Sequence, residues 1–452
     1  MSVETIIAEK VYEAQEQNAI ITKFFSKFQI GKALAKANFY KEKGTQPVEL
    51  LKYMFGLVFT NKNLYRTFTS NAEDGKSKNT LYRFLNSTAG DWCKLLFQIS
   101  MRVIGLLLPL TSDNRENVLI VDDTLYSRSR SKKVDMLTKV FDHTTNKFTK
   151  GFKLLTLAWS DGNSTIPLRF RHLVSTNERM VINGIPDSID KRSRAYKIRK
   201  LAQQNLIEAL FDLLNSVDFK KLQAKYLLFD SWFAFPSVVM RVYEKGLNVI
   251  CMLKHMPHIF YKYKGKMYNL KSLYEAVPHK KHGDIIASVT VKITKEKQEQ
   301  KVKILFLQTK EENKWIALLS TDLEISDEEI VRIYGKRWNI EVFFKTAKHY
   351  LHLDKEAQGR SFESIYAQTT IVFLRYIMLA YEARVSQDPR TCGDLFFLVC
   401  DEMKDITFLQ ALSLLLSCFF SQAQEQLVLT ETQIKTMIDI FICQIPHCLR
   451  LH

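Results

Sequence analysis

Gln46-Pro47 opens a segment in which Leu50, Leu51, Met54, Leu57 and Val58 recur at helical spacing, which predicts an amphipathic helix. The same period returns through Trp92, Leu95, Leu96, Ile99, Val103 and Leu106, so residues 1–110 read as a helical region. The texture changes at 118. Val118 to Val121 form a short, mostly β-branched apolar run that ends on Asp122-Asp123-Thr124, the pattern of a buried strand with acids at its carboxyl end. Residues 153–159 and 165–173 follow as two strands around the turn Ser160-Asp161-Gly162-Asn163. Another apolar run, 226–229, ends on Asp230 and precedes Ser231-Trp232-Phe233, and residues 247–253 supply the next strand. Segments 287–293, 303–308 and 315–319 mix β-branched, Leu and Lys residues, so 255–320 reads as an inserted, mainly antiparallel β module. Ser326, with Glu329 three residues on, is the N-cap of a helix expected to run through 348. Residues 361–452 read as helices rich in Leu, Phe and Ile.

On that late helix stand Tyr334, Arg337, Glu341 and Lys348, spaced Y-x2-R-x3-E-x6-K. At about 100° per residue, offsets of 3, 7 and 14 keep the four within roughly 60° of arc. Trp338 and Lys345 lie beside them, and Ile333, Ile340, Phe343 and Phe344 fall on the other sides. Mixed-charge pairs at such spacing also occur on solvated helix faces. A carboxylate flanked by a phenol, a guanidinium and an ammonium is more specific: the acid can hold a divalent metal and the cations can hold phosphate oxygens.

Charge supports a polyanionic partner. The 452 residues carry a formal net charge of +17 and a pI near 9.3, which favours nucleic acid. The cations cluster: Lys23, Lys27, Lys32, Lys36, Lys41 and Lys43, then Lys62, Arg66, Lys76, Lys78 and Arg83, and a basic arm across 184–200. The first residues lack a basic segment followed by an apolar core, and the apolar stretch 408–420 is too short to span a bilayer, so no membrane partner is expected. Seven cysteines without a C-x-x-C pair fit a reduced, cytosolic protein.

Three carboxylate positions therefore stand out: Asp122 or Asp123, Asp230 and Glu341. Each Asp alone also suits a cap or turn. Together they are the donor set for two Mg²⁺ ions, because hard oxygen ligands dominate and no thiolate or imidazole set competes. Neighbours on a strand point to opposite faces, so one of Asp122 and Asp123 faces the metals. Periodicity does not choose between them; Asp122 is slightly favoured.

The chain resembles the DDE transposases of bacterial insertion sequences that carry the Tyr-Arg-Glu-Lys signature, the insertion-sequence-four type. The residues that carry the resemblance are Asp-Asp-Thr at 122–124, Phe229-Asp-Ser-Trp232, and Tyr334-x2-Arg337-x3-Glu341-x6-Lys348, with Trp338 and Lys345 also in place. The resemblance implies an α/β fold: a ribonuclease-H-like catalytic core (111–254 and 321–360) interrupted by the β insertion (255–320). A helical DNA-binding region (1–110) and a helical C-terminal region (361–452), a candidate dimer surface, would flank it. It implies metal binding and catalysis by Asp122 or Asp123, Asp230 and Glu341, with Mg²⁺ replaceable by Mn²⁺. It implies phosphate contacts from Tyr334, Arg337, Lys348 and Lys345, and it makes Trp338 and Trp232 candidates to stack on a flipped base. The partners it implies are double-stranded element ends, target DNA and a second copy of the chain, in the cytoplasm at the nucleoid. The rival readings are a stand-alone metal-dependent nuclease and an inactive DNA-binding derivative.

Overall fold

The computed structural model describes residues 16–17, 19–62, 64, 77–111, 115–296, 298–309, 314–355, 359–387, 390–427 and 429–444. Arg66 and Lys76 lie outside them. The chain divides into two compact units, Met1–Phe84 with Ser386–His452, and Leu85–Val385.

The first unit is helical: Ile20–Lys27, Ile30–Lys36, Pro47–Gly56, Lys78–Leu85 at its edge, then Cys392–Leu427 and Glu431–Gln444. Pro47 sits in the first turn of its helix, where its missing N–H costs nothing. Phe24 packs on Phe28 and Phe55, with ring centres 5.0 and 6.1 Å apart, and Phe59 packs on Phe396 at 5.4 Å. The two ends of the chain thus close on one apolar core. The stretch 408–420 is part of a much longer helix. By length and composition alone, Cys392–Gln424 and Trp92–Leu110 are long and apolar enough to cross a membrane, a test that core helices also pass.

The second unit is built on a mixed sheet, eleven-stranded among the described residues. Its strands are β1 (Asn117–Ser127), β2 (Thr138–Asp142), β3 (Lys147–Ser160), β4 (Thr165–Leu173), β5 (Ala224–Phe229), β6 (Asn248–Leu253), β7 (Tyr261–Tyr263), β8 (Lys266–Tyr268), β9 (Ile285–Lys295), β10 (Gln298–Gln308) and β11 (Trp315–Ser320). They lie in the order β2-β3-β1-β5-β6-β11-β10-β9-β7-β8, with β4 also on β3. β1 runs antiparallel to β3 and parallel to β5, and β5 is parallel to β6. β11 pairs antiparallel with β6, Leu319 opposite Cys251. The inserted strands therefore prolong the core sheet rather than forming a sheet of their own.

Eight helices described in this unit are α1 (Trp92–Leu107), α2 (Arg194–Ala202), α3 (Leu206–Asn215), α4 (Pro236–Tyr243), α5 (Leu270–Ala276), α6 (Asp327–Gly335), α7 (Trp338–His349) and α8 (Phe362–Val385). Asp91 caps α1 by accepting from the Lys94 N–H at 2.8 Å. α1 and α8 pack on each other and on β4, and α7 packs on β1, β4 and α8. α8 is buried on all sides from Phe362 to Tyr381, as a helix at the centre of a unit is.

Two expectations are revised. β1 does not end at its acids: it continues to Ser127, because Asp122–Ser127 pair with Thr156–Gly151 of β3. The expected single helix through 348 is two helices. Ser326 caps α6 as expected, accepting from Glu329 N–H at 3.2 Å. Then Lys336 N–H bonds to Ile333 O and Arg337 N–H to Tyr334 O, i→i+3 bonds that tighten the backbone into a joint after Gly335.

Candidate active site

The register of β1 sorts its side chains. Asp122 lies opposite Thr156 and Thr124 opposite Leu154, so Asp122 and Thr124 share one face and Asp123 takes the other. α7 covers the first face. Lys348 Nζ donates to Thr124 Oγ1 at 2.8 Å, and Arg337 Nη1 stands 3.7 Å from Asp122 Oδ2. Asp123 turns to β3, its Oδ2 3.3 Å from Lys153 Nζ. Lys153 Nζ in turn stands 5.5 Å from the Trp232 ring centre. The Asp123 N–H donates to Asp122 Oδ1 at 2.8 Å.

Asp230 arrives from β5. Leu228 of β5 pairs with Ile120 of β1, so Asp230 and Asp122 each stand two residues beyond a shared rung of parallel strands, Asp230 just past the carboxyl end of β5, where α/β sheets build their sites, and Asp122 within β1. Asp230 Oδ1 accepts from the Trp232 N–H at 3.0 Å. Glu341, in the first turn of α7, accepts from Arg337 Nη2 at 2.5 Å. Arg337 also stands over the Tyr334 ring, 5.8 Å from its centre. The joint between α6 and α7 therefore still brings together the Tyr, Arg and Glu of the stripe.

The electrostatics record crowding. Burial, then Asp123 and Asp230, push Asp122 up to about 7, against the Asp123 N–H and Arg337. Burial and Asp230 raise Asp123, against Lys153 and His143. Burial and Glu341 raise Asp230, against the Trp232 N–H, Arg337 and Lys153. Burial lowers Lys348, against Asp354 and Asp142. Burial also raises the Tyr334 phenol, against Arg337 beside it. Trp338 is 60% and Trp232 47% exposed; Trp232 is not a core residue. Lys345 is exposed on α7.

As placed, cations bridge the acids: Arg337 spans Asp122 and Glu341, and Lys153 holds Asp123. Among the described residues, no three His, Cys, Asp or Glu side chains converge closely enough for one ion. The donor set nevertheless suits a divalent metal. It is all carboxylate, and beyond the effect of burial Asp123 and Asp230 raise Asp122 and Glu341 raises Asp230, the crowding of like charges that a divalent cation relieves. Lys153 was not singled out from sequence. Its only signal was a lone cation inside the apolar run 152–158.

Acids placed on two parallel strands and an overlying helix, with cations beside them, suit the chemistry of phosphodiesters. Comparison with known families agrees. The family described as DDE superfamily endonuclease matches residues 38–269, just over half the chain, and the Transposase DDE domain matches residues 188–378. The chain belongs to the DDE superfamily of endonucleases and carries a transposase catalytic domain, a metal-dependent domain for nuclease and strand-transfer chemistry. The DDE domain implies a ribonuclease-H-like fold. No curated protein matches the chain.

Proposed function

We propose that the protein is a cut-and-paste transposase of the Tyr-Arg-Glu-Lys signature type. It binds the ends of its element, nicks them, closes and reopens hairpin ends, and joins the 3′ ends to target DNA as a homodimer. The observation that supports this reading is that Arg337 pairs with both Asp122 of β1 and Glu341 of α7, with Asp230, just past β5, within its electrostatic reach.

In this reading Asp122, Asp230 and Glu341 would hold Mg²⁺, or Mn²⁺ in its place. A bound divalent ion supplies Lewis acidity at the scissile phosphate and makes the attacking water or 3′-hydroxyl more acidic. Arg337 clamps a phosphate in bidentate fashion, Lys348 adds a point charge, and Tyr334 supplies a phenol hydroxyl. A phosphate that draws Arg337 away from Glu341 would free that carboxylate. Asp123 stays with Lys153 as a partner of the site, and Trp338 stacks on a base flipped out of the duplex.

The test is incubation of the protein with DNA bearing the ends of its own element in Mg²⁺. Nicked, hairpin and joined products are expected. Trp338→Ala is expected to nick at the wild-type rate and form several-fold fewer hairpins. Cleavage without any joined product would reduce the protein to a nuclease.

A further inference from the structure

The hairpin of β2 and β3 carries a surface that the catalytic reading does not use. Phe141 lies opposite Phe148, and Lys139 opposite Lys150. Residues paired across antiparallel strands share a face, so two phenyl rings and two ammonium groups stand on the same side of the ribbon. The rings meet edge to face, centres 5.3 Å apart, yet are 37% and 58% exposed. His143 adds a third ring 5.0 Å from Phe141. Lysines set directly opposite each other repel. Lys150 finds the Ser131 carbonyl at 3.0 Å, and Lys139 has no ion-pair partner among the described residues. A folded chain gains nothing by leaving such a face to water.

The hairpin is fixed beside the acids. Its second strand is β3, which pairs along β1 from Ser127 past Asp122. Gly151 makes the crossing possible: a Cβ there would lie 2.3 Å from the Tyr126 carbonyl oxygen. Asp142, at the end of β2, is within electrostatic reach of Lys348.

Exposed aromatic faces interleaved with cations are what single-stranded nucleic acid requires, phosphates on the ammonium groups and bases on the rings. We propose that the face formed by Lys139, Phe141, Phe148 and Lys150 seats an unpaired stretch of DNA strand next to the catalytic acids, so that the strand leaving the site is held apart from its complement. This rests on the transposase reading and extends it to a second surface of the same unit.

The test measures the full chain by fluorescence anisotropy against a labelled single strand and against the duplex of the same sequence. Stacking contributes about 1–3 kcal/mol per base, so Phe141→Ala/Phe148→Ala is expected to weaken single-strand binding at least about tenfold while duplex binding holds. Phe141→Leu/Phe148→Leu keeps the apolar packing of the hairpin without a π-face and is expected to lose the same affinity; Phe148→Trp is expected to retain it. Wild-type affinity for the single strand in both double variants would overturn the proposal and leave the transposase reading standing, as would a change confined to the self-association of the protein. A wild-type chain that neither binds nor cuts DNA would instead overturn the reading on which the proposal rests.

Discussion

Asp122 and Asp123 differ in where they point, not in what they are. One shares a face with Thr124 beneath α7, near Arg337 and Glu341; the other pairs with Lys153. Sequence alone gave only a slight lean to Asp122, because a period of two cannot say which face meets the helix until pairing with β3 is known. Asp122→Asn is expected to slow nicking by on the order of 100-fold or more, the range for losing a charge-stabilising group at the reacting centre. Asp123→Asn is expected to cost about tenfold, as for a supporting partner. Single-turnover nicking rates decide, and the reverse ranking would move the role to Asp123. His172 tests the core instead. It is buried among Tyr126, Phe152, Phe170, Phe362 and Tyr366, with Nε2 2.9 Å from Thr369 Oγ1. Burial, then Arg128, push its pKa from 6.5 down to about 3. Between those values the unfolded chain binds a proton that the folded chain refuses, so stability is lost as pH falls from 6.5 towards 3, at about 1.4 kcal/mol per unit. His172→Phe is expected to make denaturation midpoints less steeply dependent on pH in that window. Parallel curves for the two proteins would contradict the assignment.

Elements were legible where their pattern was long and local. The apolar stripes at 47–58 and 92–106 became helices Pro47–Gly56 and α1, and the run before Asp230 became β5. Long-range pairing was not legible. Nothing in residues 315–319 announces that β11 will add to β6, or that β1 will run past its acids to meet the start of β3. The break at Lys336 was hidden for a related reason. Lys336 is buried, its methylenes against Gly162 and its ammonium donating to the Glu116 carbonyl, contacts that composition cannot foresee. The joint nonetheless keeps Arg337 on Glu341 and Lys348 on Thr124. Arg337→Ala and Lys348→Ala are each expected to weaken binding to the element end and to make its salt dependence shallower by about one phosphate contact. Filter binding across a salt series reads both effects. Unchanged affinity and slope in both variants would return the stripe to a role in packing.

At the scale of the whole molecule, a net charge of +17 predicts affinity for any polyanion; the proposed activity depends in addition on the acids placed within that basic background. The unit Leu85–Val385 contains every residue of the candidate site, while the ends of the chain form a separate helical unit. That closing of 1–84 with 386–452 was invisible in the sequence, since it depends on contacts such as Phe59 with Phe396 between segments more than 300 residues apart. The central claim is that Asp230 and Glu341 serve the metal and not the DNA. Cleavage of element-end DNA in Mg²⁺, measured together with binding of the same DNA, tests it most directly. Asp230→Ala and Glu341→Ala are expected to abolish cleavage while binding the DNA within about threefold of wild type, a difference under 1 kcal/mol. Full cleavage by either variant would contradict the account.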